Sequence, residues 1–211
     1  MKSNYNRVIL STAYLPPVEY IAAIYRSTGT EIEQFERYQK QSYRSRCHIY
    51  GANGLLSLNI PVSRAGGRYL PIKEMEIDYS NKWQQEHWRA IVSSYRASPF
   101  FDYYEDDFSQ FYHTRYKFLF DFNLELLQLL LNLIGVKRDI TYTTEFCKEY
   151  ISSEVLDLRD KIHPKRESGL RMVKKDSGQY FQVFAHKYGF IPNLSVIDLL
   201  FNEGPNSISY L

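Results

Sequence analysis

The sequence predicts a single α/β domain with a mostly parallel, Rossmann-like sheet, an inserted antiparallel hairpin and a helical C-terminal part. An α+β arrangement is the alternative. Three observations carry that prediction. The chain opens as a strand, a Pro16-Pro17 turn and a helix, the first half of a parallel crossover unit. Asn53-Gly54 lies between two apolar runs, and a long apolar helix over 116–134 leads into a β-branched segment.

Taken in order, residues 7–14 are β-branched and apolar and read as a buried strand that ends at the two prolines. Proline is tolerated at a helix start, where its missing N–H has no intrahelical partner. The helix over 18–25 then places Tyr20, Ile21 and Ile24 on one face. Alternating charged and apolar residues over 31–36 predict the second strand. Residues 47–50 and 55–62 predict a hairpin around the turn 51–54, because Asn and Gly both tolerate positive φ. Ser63 to Arg68 reads as a mobile Gly-rich loop, and the alternation over 72–77 as a half-exposed strand.

A helix over 82–96, capped by Ser80 or Asn81, brings Trp83, His87, Trp88, Ile91 and Tyr95 to one face at three- and four-residue steps. Phe100-Phe101 and Tyr103-Tyr104 read as core residues at a helix entrance. The helix over 116–134 is apolar most of the way round and should be central, with Gly135 as its left-handed cap. Residues 140–144 read as a strand returning to the sheet, and the charged stretch 147–175 as loops or an arm. A last helix is capped by Asn193 or by Ser195, which has capping-box spacing to Asp198, and it ends at Gly204-Pro205. The predicted organisation is an α/β core over 1–146, with a C-terminal arm and helix over 147–211 packed on the same domain.

Composition narrows the function classes. The 211 residues carry 26 Lys and Arg against 24 Asp and Glu, a net charge of +2, so any electrostatic argument has to be local. Basic residues do not dominate, which argues against nucleic acid as the partner. The apolar run 118–134 is broken by Asp121, Asn123, Glu125, Gln128 and Asn132, unlike a membrane span. No signal-peptide pattern is visible, so the expected location is cytoplasmic. Cys47 and Cys147 have no metal-ligand spacing, and no metal site is predicted. No cofactor is indicated: phosphate-loop, dinucleotide and nucleophile-elbow patterns are all absent.

The most informative stretch is 38–62, where Lys40, Arg44 and Arg46 stand among tyrosines and glutamines with no acidic residue between them. In an extended segment these three cations would share a face and suit a phosphate or carboxylate. A solvated edge strand is the competing reading. His87 is the candidate base, although a histidine on an aromatic helix face is more often a hydrogen-bonded core residue. Cys47 follows cations that favour a thiolate, but reads as an inert buried thiol. Glu33, Glu36 and Asp198 could serve as acids or bases, without a spacing that argues geometry.

Several motifs, taken as a set and in this order, resemble the WbqC-like protein family. They are Tyr14-Leu-Pro-Pro17, the run from Tyr38 to Cys47, Gly51-Ala-Asn-Gly54 with Ile60-Pro-Val62, His87-Trp-Arg-Ala-Ile91, Ser98-Pro-Phe-Phe101 and the run from Gly189 to Pro205. The family's basic motif usually reads Arg-Asn-Arg; here Ser45 replaces the asparagine. The family takes its name from bacterial surface-polysaccharide loci. The resemblance therefore implies sugar-nucleotide or acyl/aminoacyl transfer chemistry, without settled catalytic residues.

The expectation is a transferase that binds an activated, phosphate-bearing small molecule such as a sugar nucleotide. His87 would act as base, with Tyr14, Tyr20, Lys40, Tyr43, Arg44, Arg46, Arg89, Tyr95 and Asn193 as the binding set. The alternative is a non-enzymatic binding or assembly protein that uses an aromatic surface.

Overall fold

The computed structural model describes residues 5–63, 70–150, 154–166 and 179–211. Most of the glycine-rich loop after Ser63 falls outside them, as does much of the charged arm. The elements are β1 (Tyr5–Ser11), α1 (Val18–Arg26), β2 (Ser27–Glu33), β3 (Arg46–Gly51), β4 (Gly54–Asn59), α2 (Trp83–Tyr95), α3 (Phe101–His113), α4 (Leu119–Ile134), β5 (Ile140–Tyr142), β6 (Val155–Asp157), α5 (Ala185–Tyr188) and α6 (Val196–Glu203).

Four strands form one sheet in the order β5-β2-β1-β6, with every neighbouring pair parallel. The hairpin β3-β4 is a separate antiparallel pair. This is the α/β architecture expected, with a parallel sheet, an inserted hairpin and helices packed around both. β1 is central because Val8, Ile9 and Leu10 are β-branched or apolar and completely buried. α1 packs back on the sheet through Ile21, Ala22, Ala23 and Ile24, none of them exposed. The central helix α4 buries Leu119, Phe122, Leu126 and Leu130 completely. Gly135 ends it at φ 81°, where only glycine is unstrained.

Several local expectations are corrected. β2 starts at Ser27, directly after α1, and not near 31. Ser-Thr-Gly-Thr reads as loop by composition, but pairing with β1 from Tyr5 onward makes it extended. Residues 72–77 do not form a strand. Ile72–Glu74 is a 3-10 turn, and Glu76 and Ile77 pair singly with Phe118 and Val62. The alternation still holds physically, because Ile72, Met75 and Ile77 are buried while Glu74 and Glu76 face solvent. The charged arm contributes β6, only three residues long and so invisible to periodicity, which pairs with Arg7–Ile9.

The caps also differ from expectation. α2 begins after Lys82 with no side-chain cap. Ser195 precedes α6, but its hydroxyl makes no capping bond, and Asp198 turns elsewhere. Asn193 caps a different helix: its Oδ1 accepts the Glu19 N–H at 3.0 Å, at the start of α1. Val18 N–H to the Leu194 carbonyl and Val196 N–H to the Pro16 carbonyl lock the same junction. The C-terminal segment is thereby threaded between the Pro-Pro turn and β3, where Ser195 N–H reaches the His48 carbonyl at 2.8 Å.

Candidate functional site

In an open parallel sheet ligands gather at the carboxyl ends of the strands, where the strand order reverses. Here that point lies between β1 and β6, and protein side chains fill it. Arg44 grips Glu36 with two parallel bonds, Nε to Oε1 at 2.8 Å and Nη2 to Oε2 at 2.5 Å. Arg44 Nη2 also donates to Ser11 Oγ at 2.7 Å. The single hydroxyl proton of Ser11 can serve Glu36 Oε2 at 3.1 Å or the Arg159 carbonyl at 3.0 Å. Burial raises the Glu36 carboxyl above its ordinary range, against the pull of Arg44.

A second arginine extends this polar seam. Arg159 pairs with fully buried Glu33 at 3.1 Å and with Asp157 at 2.6 Å, and the rings of Phe146 and Tyr150 lie 5.5 and 5.1 Å from its guanidinium carbon. The space left at the switch point is about 10 Å³, bordered by Ser11, Tyr20, Tyr43, Arg44 and Arg159, the size of one water at most. Glu33 and Glu36 are thus members of ion pairs.

The three cations of the 38–46 stretch do not share a face, because residues 40–45 form turns and not a strand. Arg44 is 3% exposed and turned inward. Lys40 and Arg46 instead line a cleft of about 590 Å³ with Tyr38, Gln41, Asn59, Pro61, Val62, Leu70 and Met75. None of the described lining residues is acidic. Arg46 and Asn59 stand opposite each other in the hairpin register. The buried Arg46 Nε has no hydrogen-bond partner among the described residues. Leaving a buried donor unsatisfied costs about 1–3 kcal/mol, more for a charged group. The positive field reaches His48 on the same strand face: burial first, then the Arg46 charge, holds that imidazole below its usual range.

Two local details shape the cleft. Gln41 sits at φ 57°, a left-handed conformation that costs a residue with a Cβ roughly 1–2 kcal/mol. Such outliers concentrate at functional turns. Ser45, at the position that departs from the family pattern, is fully buried and bonds the Tyr38 hydroxyl at 2.7 Å. It therefore anchors one wall of the cleft.

His87 lies behind this wall at 5% exposure. Its Nδ1 meets the Tyr14 hydroxyl at 3.0 Å, which continues to Tyr112 at 2.9 Å, and the backbone of cleft-lining Asn59 lies near the ring. Burial lowers the imidazole to about 4, so it is neutral at physiological pH.

The other expected residues disperse. Tyr20 donates to the Ser11 carbonyl at 2.8 Å, and Tyr43 borders the small switch-point space while its carbonyl takes the Tyr14 N–H. Tyr95 accepts the Tyr50 N–H at 3.1 Å and lies beside Asp198, which also holds Tyr180 at 2.7 Å and Gln182 at 2.8 Å. Arg89 is exposed in a separate groove between α2 and α3, with Trp88, Arg96 and Glu105. Cys47 is fully buried, and burial pushes its thiol well up, away from reactivity.

The WbqC-like protein family model matches residues 12–167 and 158–210. The chain belongs to the WbqC-like protein family. A relative from Mycobacterium tuberculosis, named as the uncharacterized protein Rv1507c, is 25% identical over 96% of each chain. No solved structure matches. Membership covers both the Lys40–Arg46 cleft and the switch-point ion pairs, so both belong to the family-matched part of the chain. Among the described residues no cluster of His, Cys, Asp and Glu could hold a metal ion, and no helix is long and apolar enough to cross a membrane.

Cleft residues that the sequence reading passed over had usable signals. Tyr38 and Gln41 lie inside the basic, aromatic stretch itself. Asn59 follows from the hairpin: once Gly51 pairs with Gly54, counting back places it opposite Arg46. The apolar wall at Leu70 and Met75 had no such signal, because it comes from a separate segment.

Proposed function

We propose that the protein binds an activated, phosphate-bearing small molecule in the Lys40–Arg46 cleft and transfers part of it, in bacterial surface-polysaccharide or related biosynthesis. The observation that carries this reading is Arg46, whose buried Nε is unpartnered among the described residues, beside Lys40 in a cleft without acidic described lining. An anionic oxygen arriving in the cleft meets two cations. The volume of about 590 Å³ lies within the range of small-molecule sites. Family membership supports the biosynthetic context through the origin of the family name. His87 acts in this reading as a positioning residue behind the cleft, held by the Tyr14 hydroxyl.

The test is thermal denaturation of the full chain with inorganic pyrophosphate and with nucleotide-sugars. Ligand at a hundredfold excess over Kd stabilises by about 2.7 kcal/mol, which for a chain this long shifts Tm by roughly 5–10 °C. Arg46→Ala should remove that shift. Absence of a shift with every phosphate compound, or an equal shift in Arg46→Ala, would sink the reading.

A further inference from the structure

The lining of the Lys40–Arg46 cleft combines two kinds of group. Lys40, Arg46, Gln41 and Asn59 offer charge and amides. Ile60, Pro61 and Val62 from the end of the hairpin, with Leu70 and Met75, are apolar. Ile60 and Met75 are buried, and Val62 and Leu70 half-buried, so this wall belongs to the core and is not a chance patch. A site for a bare phosphate or carboxylate has no use for an apolar wall or for a volume of about 590 Å³. A free sugar, ringed by hydroxyls, would leave that wall unpaired. A lipid phosphate would use the wall but not the two side-chain amides.

Amides of Asn and Gln carry donor and acceptor side by side, the pattern that reads the edge of a nucleobase. The flat faces of a base are apolar and suit a wall of Ile, Pro, Val, Leu and Met. With a lysine and an arginine and no acidic described lining, the cleft matches a ligand of about two negative charges, as in a diphosphate diester.

We infer that the ligand is a nucleoside phosphate, held with its phosphates on Lys40 and Arg46 and its base against the wall from Ile60 to Val62, Leu70 and Met75. The inference rests on the anion-binding reading above and adds the nucleoside half to it. Asn59 is then the specificity-determining residue that meets the base edge, set in place by its pairing across from Arg46.

Calorimetric titration of the full chain with uridine, uridine diphosphate, adenosine diphosphate, inorganic pyrophosphate and farnesyl phosphate tests it. At least one nucleoside diphosphate should bind roughly tenfold or more tighter than pyrophosphate, a factor worth about 1.4 kcal/mol, and tighter than uridine. Asn59→Ala and Val62→Asn should each shrink that advantage while leaving pyrophosphate affinity in place, with circular dichroism confirming the fold of both. Arg46→Ala should weaken all phosphate compounds together. Pyrophosphate binding as tightly as both nucleoside diphosphates would overturn the nucleoside inference and leave the anion site standing. Tighter binding of farnesyl phosphate would overturn it in favour of a lipid phosphate. Failure of every phosphate compound to bind would remove both readings.

Discussion

Replacing His87 by glutamine should flatten the acid side of the stability curve. The amide can keep the hydrogen bond with the Tyr14 hydroxyl, so that contact survives without a titratable ring. In the wild type the folded imidazole is lowered from 6.5 to about 4, mainly by burial. A depressed folded value means that the unfolded chain takes the proton more readily. The stability from neutral His87 is therefore fully present above 6.5 and is lost as pH falls toward 4. The gap between those values corresponds to about 3 kcal/mol. Urea denaturation at a series of pH values should show the wild type losing about 3 kcal/mol more than His87→Gln between neutral pH and pH about 4. Parallel curves would refute the reasoning, as would an NMR titration of His87 with a midpoint near 6.5. Either outcome would mean that water reaches the ring and would reopen His87 as a base poised near neutrality.

Asp198 should show the opposite slope: burial raises its carboxyl from 3.8 to about 6, despite bonds from Tyr180 and Gln182. Its contribution is present below 3.8 and lost as pH rises through about 6, so stability measured against Asp198→Asn should shift by about 3 kcal/mol against the wild type across that window. Glu36→Gln leaves the buried Arg44 guanidinium with only the exposed Asp160 carboxylate, 3.5 Å away, as counter-charge and should cost about 3 kcal/mol in chemical denaturation. The paired replacement Glu36→Leu with Arg44→Met should cost less than the single change, and a larger loss in the pair would contradict the ion-pair account. Asn193→Ala removes the α1 cap and should lower stability by about 1 kcal/mol, with Asn193→Asp restoring most of it.

The elements most legible in the sequence were those whose signals are short-range. The Pro16-Pro17 break announces the start of α1, the turn at Ala52-Asn53 sets the hairpin register, and the apolar residues of α4 announce a central helix. Even the pairing of Arg46 with Asn59 follows from that turn, so half of the candidate cleft could be counted out by hand. The misses have a common cause. The cap of α1 comes from Asn193, far along the chain. The three residues of β6 become a strand only because β1 offers them a free edge.

By itself, then, the sequence determined the α/β class, the hairpin, the family and the stretch in which cations gather. Tertiary structure alone decided which cations line the cleft. Arg44 and Arg46 are two residues apart and chemically identical, yet the first is turned inward onto Glu36 and Ser11 while the second keeps a buried Nε unpartnered among the described residues at a cleft. A guanidinium is neutralised by whichever carboxylate the fold brings within hydrogen-bond reach. That carboxylate belongs to the loop after β2, so no periodicity within 38–46 could announce it.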